Sequence, residues 1–342
     1  MNITKTTIHG RLAPSPTGYL HLGNAWSFLI AWLSCRLEGG TISLRIEDID
    51  PQRSKPQFVQ GILEDFSWLG LDYDNEIIYQ SQRYSLYQHY TNKLKNFIYP
   101  CYCTRKELRD MAGAPQTKQQ DSTTRFIMPD MGANYPRTCR FLAKEQHKNT
   151  KACLRLACPP FEKQEDIPSI FQNLSPIFSF DDLVLEKQTF NLNDCGGDFA
   201  IQRSDSVWSY QLAVSIDDME MGINHIVRGE DILTSTPRQL YLFKLLNYPA
   251  PHYAHIPLLL NENNERLAKR HASLSLQAIR ENNPSPERII SFLAHLMGFT
   301  GKFSSAKELL FHLQQKNITK FPFENLKQYQ NGIKINFDKC IF

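Results

Sequence analysis

The clearest periodic signal lies between residues 41 and 48, where apolar Ile42, Leu44 and Ile46 alternate with polar Ser43, Arg45 and Glu47. A period of two puts the two sets on opposite faces of an extended segment, so a strand is predicted over Thr41 to Asp48. Upstream, the run from Asn24 to Leu37 carries apolar residues at helical spacing and stops at Gly39 and Gly40, which suit a helix end and turn. Helical patterns recur at Phe58 to Leu69 and Tyr84 to Phe97. Strand, glycine-bearing turn, helix and second strand make a βαβ unit, with a right-handed crossover and a parallel sheet.

From Cys101 to about Asp194 the pattern loosens into short runs with prolines and the polar tract TKQQDSTT, which reads as an insertion carrying a mobile loop. Ser209 to Ile216 and Gly222 to Val227 then have the apolar content of buried sheet elements, and Pro237 to Leu246 that of a helix. Beyond His271 the chain reads as helical, at Pro286 to Met297 and Ala306 to Gln314. The expectation is an α/β fold with a doubly wound parallel sheet. Residues 1–100 form its first half, 101–194 an insertion, 195–272 its second half, and 273–342 a short helical C-terminal region.

The composition supports a globular chain: 342 residues, 42% hydrophobic and 21% charged. A net charge of +3 does not by itself mark a nucleic-acid binder, since a local basic face can hide in a near-neutral total. No stretch approaches the roughly 20 apolar residues that cross a bilayer, and the N-terminus lacks a secretory pattern, so a cytoplasmic protein without a membrane partner is expected. In that compartment the eight cysteines read as thiols or metal ligands rather than disulfides.

Candidate chemistry begins at Arg11 to Asn24, RLAPSPTGYLHLGN, where the first strand turns into the first helix. A turn opening onto a helix N-terminus at the carboxyl end of a strand is where doubly wound sheets bind phosphate, and His21 would point at it. The same prolines and glycines could equally just shape a connection. A second cluster, Arg266-Leu267-Ala268-Lys269-Arg270-His271, follows a polar turn and alone reads as a solvated cationic run.

In this order, flanking a split sheet, the two clusters resemble the HIGH and KMSKS signatures of class I aminoacyl-tRNA synthetases. Within that class the strings RLAPSPTGYLHLG, LRIEDID, IVRGEDIL and STPRQL look like glutamyl-tRNA synthetase, from about Arg11 to His271. The resemblance implies the class I Rossmann-like catalytic domain. It also implies a reaction in which a carboxylate attacks the α-phosphate of ATP and pyrophosphate leaves, with no protein nucleophile. By the same resemblance His21 and Lys269 are catalytic, Gly23, Asn24 and Arg266 join them at ATP, and Mg²⁺ accompanies the nucleotide. L-Glutamate would be held by Arg11, Ala13, Ser15, Glu47, Tyr210 and Arg228. Glutamate has one ammonium and two carboxylates, so Glu47 answers the first and Arg228 and Arg11 the others. Without the flanking motifs, Glu47 and Arg228 would read as an ordinary surface ion pair.

The sequence departs from the family at Asn24, where a second histidine is usual, at Ala268, which replaces a serine, and at Arg266, which replaces a lysine. About 70 residues follow the second cluster, so no anticodon-binding domain is expected. That length, with Cys101-x-Cys103 and Tyr135-x-x-x-Cys139, is similar to the glutamyl-queuosine tRNA(Asp) synthetases. The implied activity is tRNA-independent activation of glutamate and its transfer to queuosine in the anticodon of tRNA(Asp). One structural Zn²⁺ would sit on Cys101, Cys103, Tyr135 and Cys139; from spacing alone, C-x-C could also be two buried thiols. Cys35, Cys153, Cys158, Cys195 and Cys340 read as ordinary thiols, and His225, His252 and His255 as structural. A monomer is expected. Two rival readings remain: a compact glutamyl-tRNA synthetase charging tRNA(Glu), and a non-catalytic glutamate- or RNA-binding paralogue.

Overall fold

The structure, a computed structural model, describes residues 7–104, 107–108, 135–141, 151–161, 173–265, 275–329 and 332–335. Strand β1 (His9–Leu12) leads through a turn into helix α1 (Leu22–Leu37), and β2 (Thr41–Ile46) returns parallel to β1 with Arg11 opposite Ser43. Helix α1 is buried nearly all round, burying Trp26, Leu29, Ile30 and Leu33 together with Trp32 and Cys35, as a helix apolar on every side must be. Its two buried indoles keep hydrogen bonds: Trp26 donates to the Pro257 carbonyl at 2.8 Å, and Trp32 donates to Asp72 Oδ1, at the edge of the core, at 3.0 Å. Gly39, at a φ of +69°, makes the left-handed turn after the helix.

Helix α2 (Pro56–Leu69) ends on Gly70, and β3 (Ile78–Tyr79) adds in parallel to β2. After α3 (Tyr84–Lys93) the chain forms β4 (Ile98–Cys101), antiparallel to β5 (Cys153–Leu156). The hairpin β6 (Ile177–Asp182) and β7 (Glu186–Asn191) comes next, then β8 (Phe199–Gln202), antiparallel to β5. The sequence continues as α4 (Tyr210–Glu220), β9 (His225–Gly229), α5 (Thr236–Leu245), β10 (His252–Ile256) and β11 (Leu259–Leu260). Helices α6 (Leu276–Asn282), α7 (Glu287–Leu296) and α8 (Ala306–Gln315) follow, and β12 (Ile333–Lys334) pairs with β11.

Strands β7, β6, β10 and β9 lie side by side in that order, with β10 parallel to both β6 and β9. Strand β1 runs beside β9, where the Asn224 N–H donates to the His9 carbonyl at 3.1 Å and Asn224 Oδ1 accepts the His9 N–H at 2.8 Å. The two βαβ halves therefore meet at β1 and β9, and the fold is a doubly wound α/β sheet. The C-terminal helices share its core: Ile290, Leu293 and Leu309 cluster with Leu12, Trp26 and Trp32.

Three sequence expectations change. The stretch 209–216, expected as sheet, is the start of α4, capped by Ser209 Oγ accepting from the Leu212 N–H. Every residue from Gln211 to Ile216 is buried, so that part of the run carries no exposed face to betray its helical period. Strand order in 222–227 starts only at His225. The hairpin β6–β7, within the stretch expected as an insertion, is hydrogen-bonded into the sheet of the second half. The polar tract TKQQDSTT lies outside the described residues. Among the described residues no helix is long and apolar enough to cross a membrane.

Candidate active site

The turn after β1 is tied to its surroundings by its own backbone. The Pro14 carbonyl accepts from the Glu47 N–H, the Pro16 carbonyl from the Lys55 N–H, and the Leu20 carbonyl from the Leu276 N–H. The last of these, with a bridge between His21 and Ser275, sets the first motif against the chain that leaves 266–274. Arg266, Lys269 and the rest of the cationic cluster lie outside the described residues. His21 caps α1 in a reciprocal box: its side chain faces the Asn24 N–H, and Asn24 Oδ1 accepts the His21 N–H at 3.0 Å. Gly23 leaves room for the ring, since a Cβ there would lie 3.1 Å from His21 Cε1 and Nδ1.

The ends of β1, β2 and β9 and the start of α4 bring the expected glutamate ligands together. Arg11 is buried, donates to the Val227 carbonyl at 3.2 Å and lies 3.5 Å from Asp218. Ser15 Oγ donates to Glu47 Oε2 at 3.4 Å, and Ala13 sits beside it on the same turn. Burial raises the pKa of Glu47, while Arg45 and Arg11 pull it down. Tyr210, on the first turn of α4, is 38% exposed and lies within electrostatic range of Arg228, Glu47 and Arg11.

Beneath them lies a charge network that sequence reading passed over. Arg45, on the polar face of β2, is 0% exposed. It bonds Asp218 at 2.7 Å and Glu47 at 3.1 Å, with Asp217 at 3.9 Å. Burial alone would lower its pKa, but the three carboxylates raise it instead, so the guanidinium stays charged. Asp217 also accepts from Arg83, Gln80 and Tyr87. The alternation of β2 signalled a face; nothing local signalled that α4 would cover it with two aspartates.

Arg228 differs from these arginines. It is 5% exposed and, among the described residues, forms no ion pair with a carboxylate. Its Nη1 donates to Gln239 Oε1 and its Nη2 to Thr236 Oγ1, both at 2.7 Å, and its Nε to His255 Nε2 at 3.0 Å. Three of a guanidinium's five N–H groups are thereby used, leaving one on each terminal nitrogen. A buried cation whose held donors all meet neutral acceptors calls for an anion.

Cys101, Cys103 and Cys139 stand apart from this site, with their sulfurs within 4.8 Å of one another. Cys103 Sγ is 3.5 Å from Cys139 Sγ, and Tyr135 Oη is 3.3 Å from Cys101 Sγ and 3.8 Å from Cys103 Sγ. A tetrahedral zinc with Zn–S bonds near 2.3 Å has S–S edges of about 3.8 Å, so the three sulfurs are of the right kind and spacing to hold that ion, with the Tyr135 phenol beside them.

A family model described as tRNA synthetases class I (E and Q), catalytic domain, matches residues 7–328. The chain is similar to the Glutamyl-Q tRNA(Asp) synthetase of Nitratidesulfovibrio vulgaris, at 45% identity over 86% of this chain and 88% of that protein. It is also similar to the protein of the same name from Symbiobacterium thermophilum, at 40% identity over 84% and 86%. Among solved structures it resembles the glutamate-tRNA synthetase of Elizabethkingia anophelis, with a TM-score of 0.73 and 24% identity over 98% of this chain and 69% of that one. That last likeness speaks for the fold.

Proposed function

The chain belongs to the class I tRNA synthetase catalytic-domain family for glutamate and glutamine, and from that footing we propose that it activates L-glutamate with ATP in the absence of tRNA and transfers it to queuosine in the anticodon of tRNA(Asp). The α-carboxylate oxygen of glutamate attacks the α-phosphorus of ATP, forming glutamyl-adenylate as pyrophosphate leaves. A hydroxyl of the queuosine cyclopentenediol then attacks the glutamyl carbonyl carbon, and AMP leaves.

The observation that carries the glutamate reading is Arg228, a buried guanidinium with two donors to spare and no carboxylate of the described residues on it. An amide side chain would leave that charge uncompensated, whereas a carboxylate completes it. Glu47 supplies the anion for the substrate ammonium, and Arg11 lies close enough to share in binding the carboxylates. His21, Gly23 and Asn24 at the start of α1, with Arg266 and Lys269, are assigned to ATP, His21 and Lys269 at its phosphates, and Gly23 and Asn24 also shape that turn. Magnesium would accompany ATP. Cys101, Cys103, Tyr135 and Cys139 would hold one Zn²⁺, whose contribution is to cross-link the β4 end to the 135–141 segment. The acceptor reading is supported by the two relatives above, which align over most of their length.

The test is glutamate-dependent exchange between ATP and labelled pyrophosphate without tRNA, followed by transfer of labelled glutamate to tRNA(Asp) with and without queuosine and to tRNA(Glu). Exchange with queuosine-dependent labelling of tRNA(Asp) is expected. Labelling confined to tRNA(Glu) would replace the acceptor, and absence of exchange would overturn the reaction.

A further inference from the structure

Arg228, His255 and Asp182 lie on three neighbouring strands: His255 of β10 is opposite Arg228 of β9, and Asp182 of β6 is opposite Tyr253 of β10. All three are buried. Asp182 Oδ2 is 2.6 Å from His255 Nδ1, and the same carboxylate accepts the backbone N–H groups of Val184 and Leu185 at 2.9 Å and of His255 at 3.1 Å. Burial would raise the Asp182 pKa, but the His255 ring and these amides hold it below the usual carboxylate range. For His255, burial pushes the pKa down to about 4 against the pull of Asp182, so the ring is neutral. An ionised carboxylate accepts only, so Nδ1 carries the proton and Nε2 carries the lone pair. That lone pair receives the Arg228 Nε–H at 3.0 Å and the Thr236 hydroxyl at 3.0 Å, while Thr236 Oγ1 accepts from Arg228 Nη2.

We propose that Asp182 and His255 are positioning residues for amino-acid recognition: Asp182 fixes the His255 tautomer, and the ring then holds Arg228 so that its two remaining N–H groups form a fork for the side-chain carboxylate of glutamate. The inference rests on the reading of Arg228 as a carboxylate ligand. The opposite tautomer would turn an Nε2–H toward the Arg228 Nε–H, donor against donor, and the guanidinium would have to rotate away.

Asp182→Asn isolates this effect. Its oxygen, in the place of Oδ1, can keep the Val184 and Leu185 amides and that of His255, which lies 3.2 Å from Oδ1, while its NH₂ faces Nδ1 and drives the ring proton to Nε2. Thr236→Val removes the hydroxyl without removing the bulk. Exchange kinetics would be measured for both variants against glutamate and ATP, with thermal unfolding. Ring ¹⁵N–¹H correlation spectra would be taken of wild type and Asp182→Asn, with His255 assigned by its loss in His255→Asn. The wild-type ring should be protonated at Nδ1 and the Asp182→Asn ring at Nε2. The glutamate KM should rise about tenfold or more in both variants, with kcat and the ATP KM little changed. An Nε2–H ring in the wild type, or an unchanged glutamate KM in both variants, would overturn the proposal. So would parallel losses in both KM values and kcat with lowered thermal stability. If the wild type shows no glutamate-dependent exchange, the functional reading falls and takes the substrate part with it; the ring spectra then judge the Asp182–His255 pairing separately.

Discussion

Asn24 Oδ1 accepts the backbone N–H of His21 at 3.0 Å, so the residue standing where the family has a second histidine folds the motif that presents the first. Replacing it with alanine removes half of the reciprocal cap, a loss of about 0.5–1 kcal/mol in stability. Asn24→Asp retains the acceptor and favours the helix N-terminus, but places a negative charge beside the phosphates. The expected result is a split: Asn24→Ala lowers the urea midpoint, whereas Asn24→Asp keeps it and raises the ATP KM. Equal ATP KM values in Asn24→Asp and wild type would remove ATP from this end of α1.

The zinc assignment predicts about one metal equivalent per chain by elemental analysis, since a closed four-ligand site holds one ion. Cys139→Ser and Cys101→Ser should each abolish it, because both sulfurs line the cluster. Tyr135→Phe should weaken binding while leaving some metal, as three thiolates remain. Chelation should lower the thermal midpoint of the wild type but not of Cys139→Ser, because metal affinity and folding are linked. Wild-type metal content in Cys139→Ser would discard the ligand set.

Much of the scaffold was legible because its periods survive in the sequence. The alternation at 42–47 and the glycine stop after Leu37 gave β2 and the end of α1 close to where they occur. Helix α4 was not legible, since burial of Leu212 through Ile216 on all sides erases the difference between a helical and a sheet run. In the site, Arg11, Ser15, Glu47 and Arg228 stand inside the quoted strings and Tyr210 outside them, and the structure gathers all five around the ends of β1, β2 and β9 and the start of α4. Their supports were not named. His255 reaches Asp182 across 73 positions and Arg45 reaches Asp218 across 173, and no local spacing encodes a neighbour brought in by sheet order. Thr236 and Gln239 stood inside the string STPRQL, but only the folded contact with Arg228 gives them a role.

Asp65 links α2 to α6 through Arg280, whose Nε donates to Asp65 Oδ1 at 3.2 Å, while Oδ2 is buried with no partner among the described residues. Burial pushes its pKa up to about 7, against the pull of Arg280. A carboxyl that binds its proton more tightly folded than unfolded adds stability that is fully present below the unfolded value near 3.8 and is lost as pH rises through about 7. The wild-type urea midpoint should carry that falling component between these limits. Asp65→Asn should lack it, and parallel profiles for the two proteins would refute the assignment.

Gly23, on the first turn of α1, separates stability from catalysis. Its φ is not in the left-handed region, so alanine fits the backbone and should stabilise the helix by roughly 0.5–1 kcal/mol. The new Cβ, however, would lie 3.1 Å from Cε1 and Nδ1 of His21, close enough that the ring must shift by a few tenths of an ångström. If that ring is aligned with the phosphates during adenylate formation, a small displacement is costly, because catalysis by orientation depends on near-attack geometry. Gly23→Ala should therefore unfold at an equal or higher temperature while its exchange kcat falls about tenfold, with glutamate binding by calorimetry unchanged. A variant both more stable and fully active would show that the His21 ring can move without consequence, and His21 would lose its assigned place in the reaction.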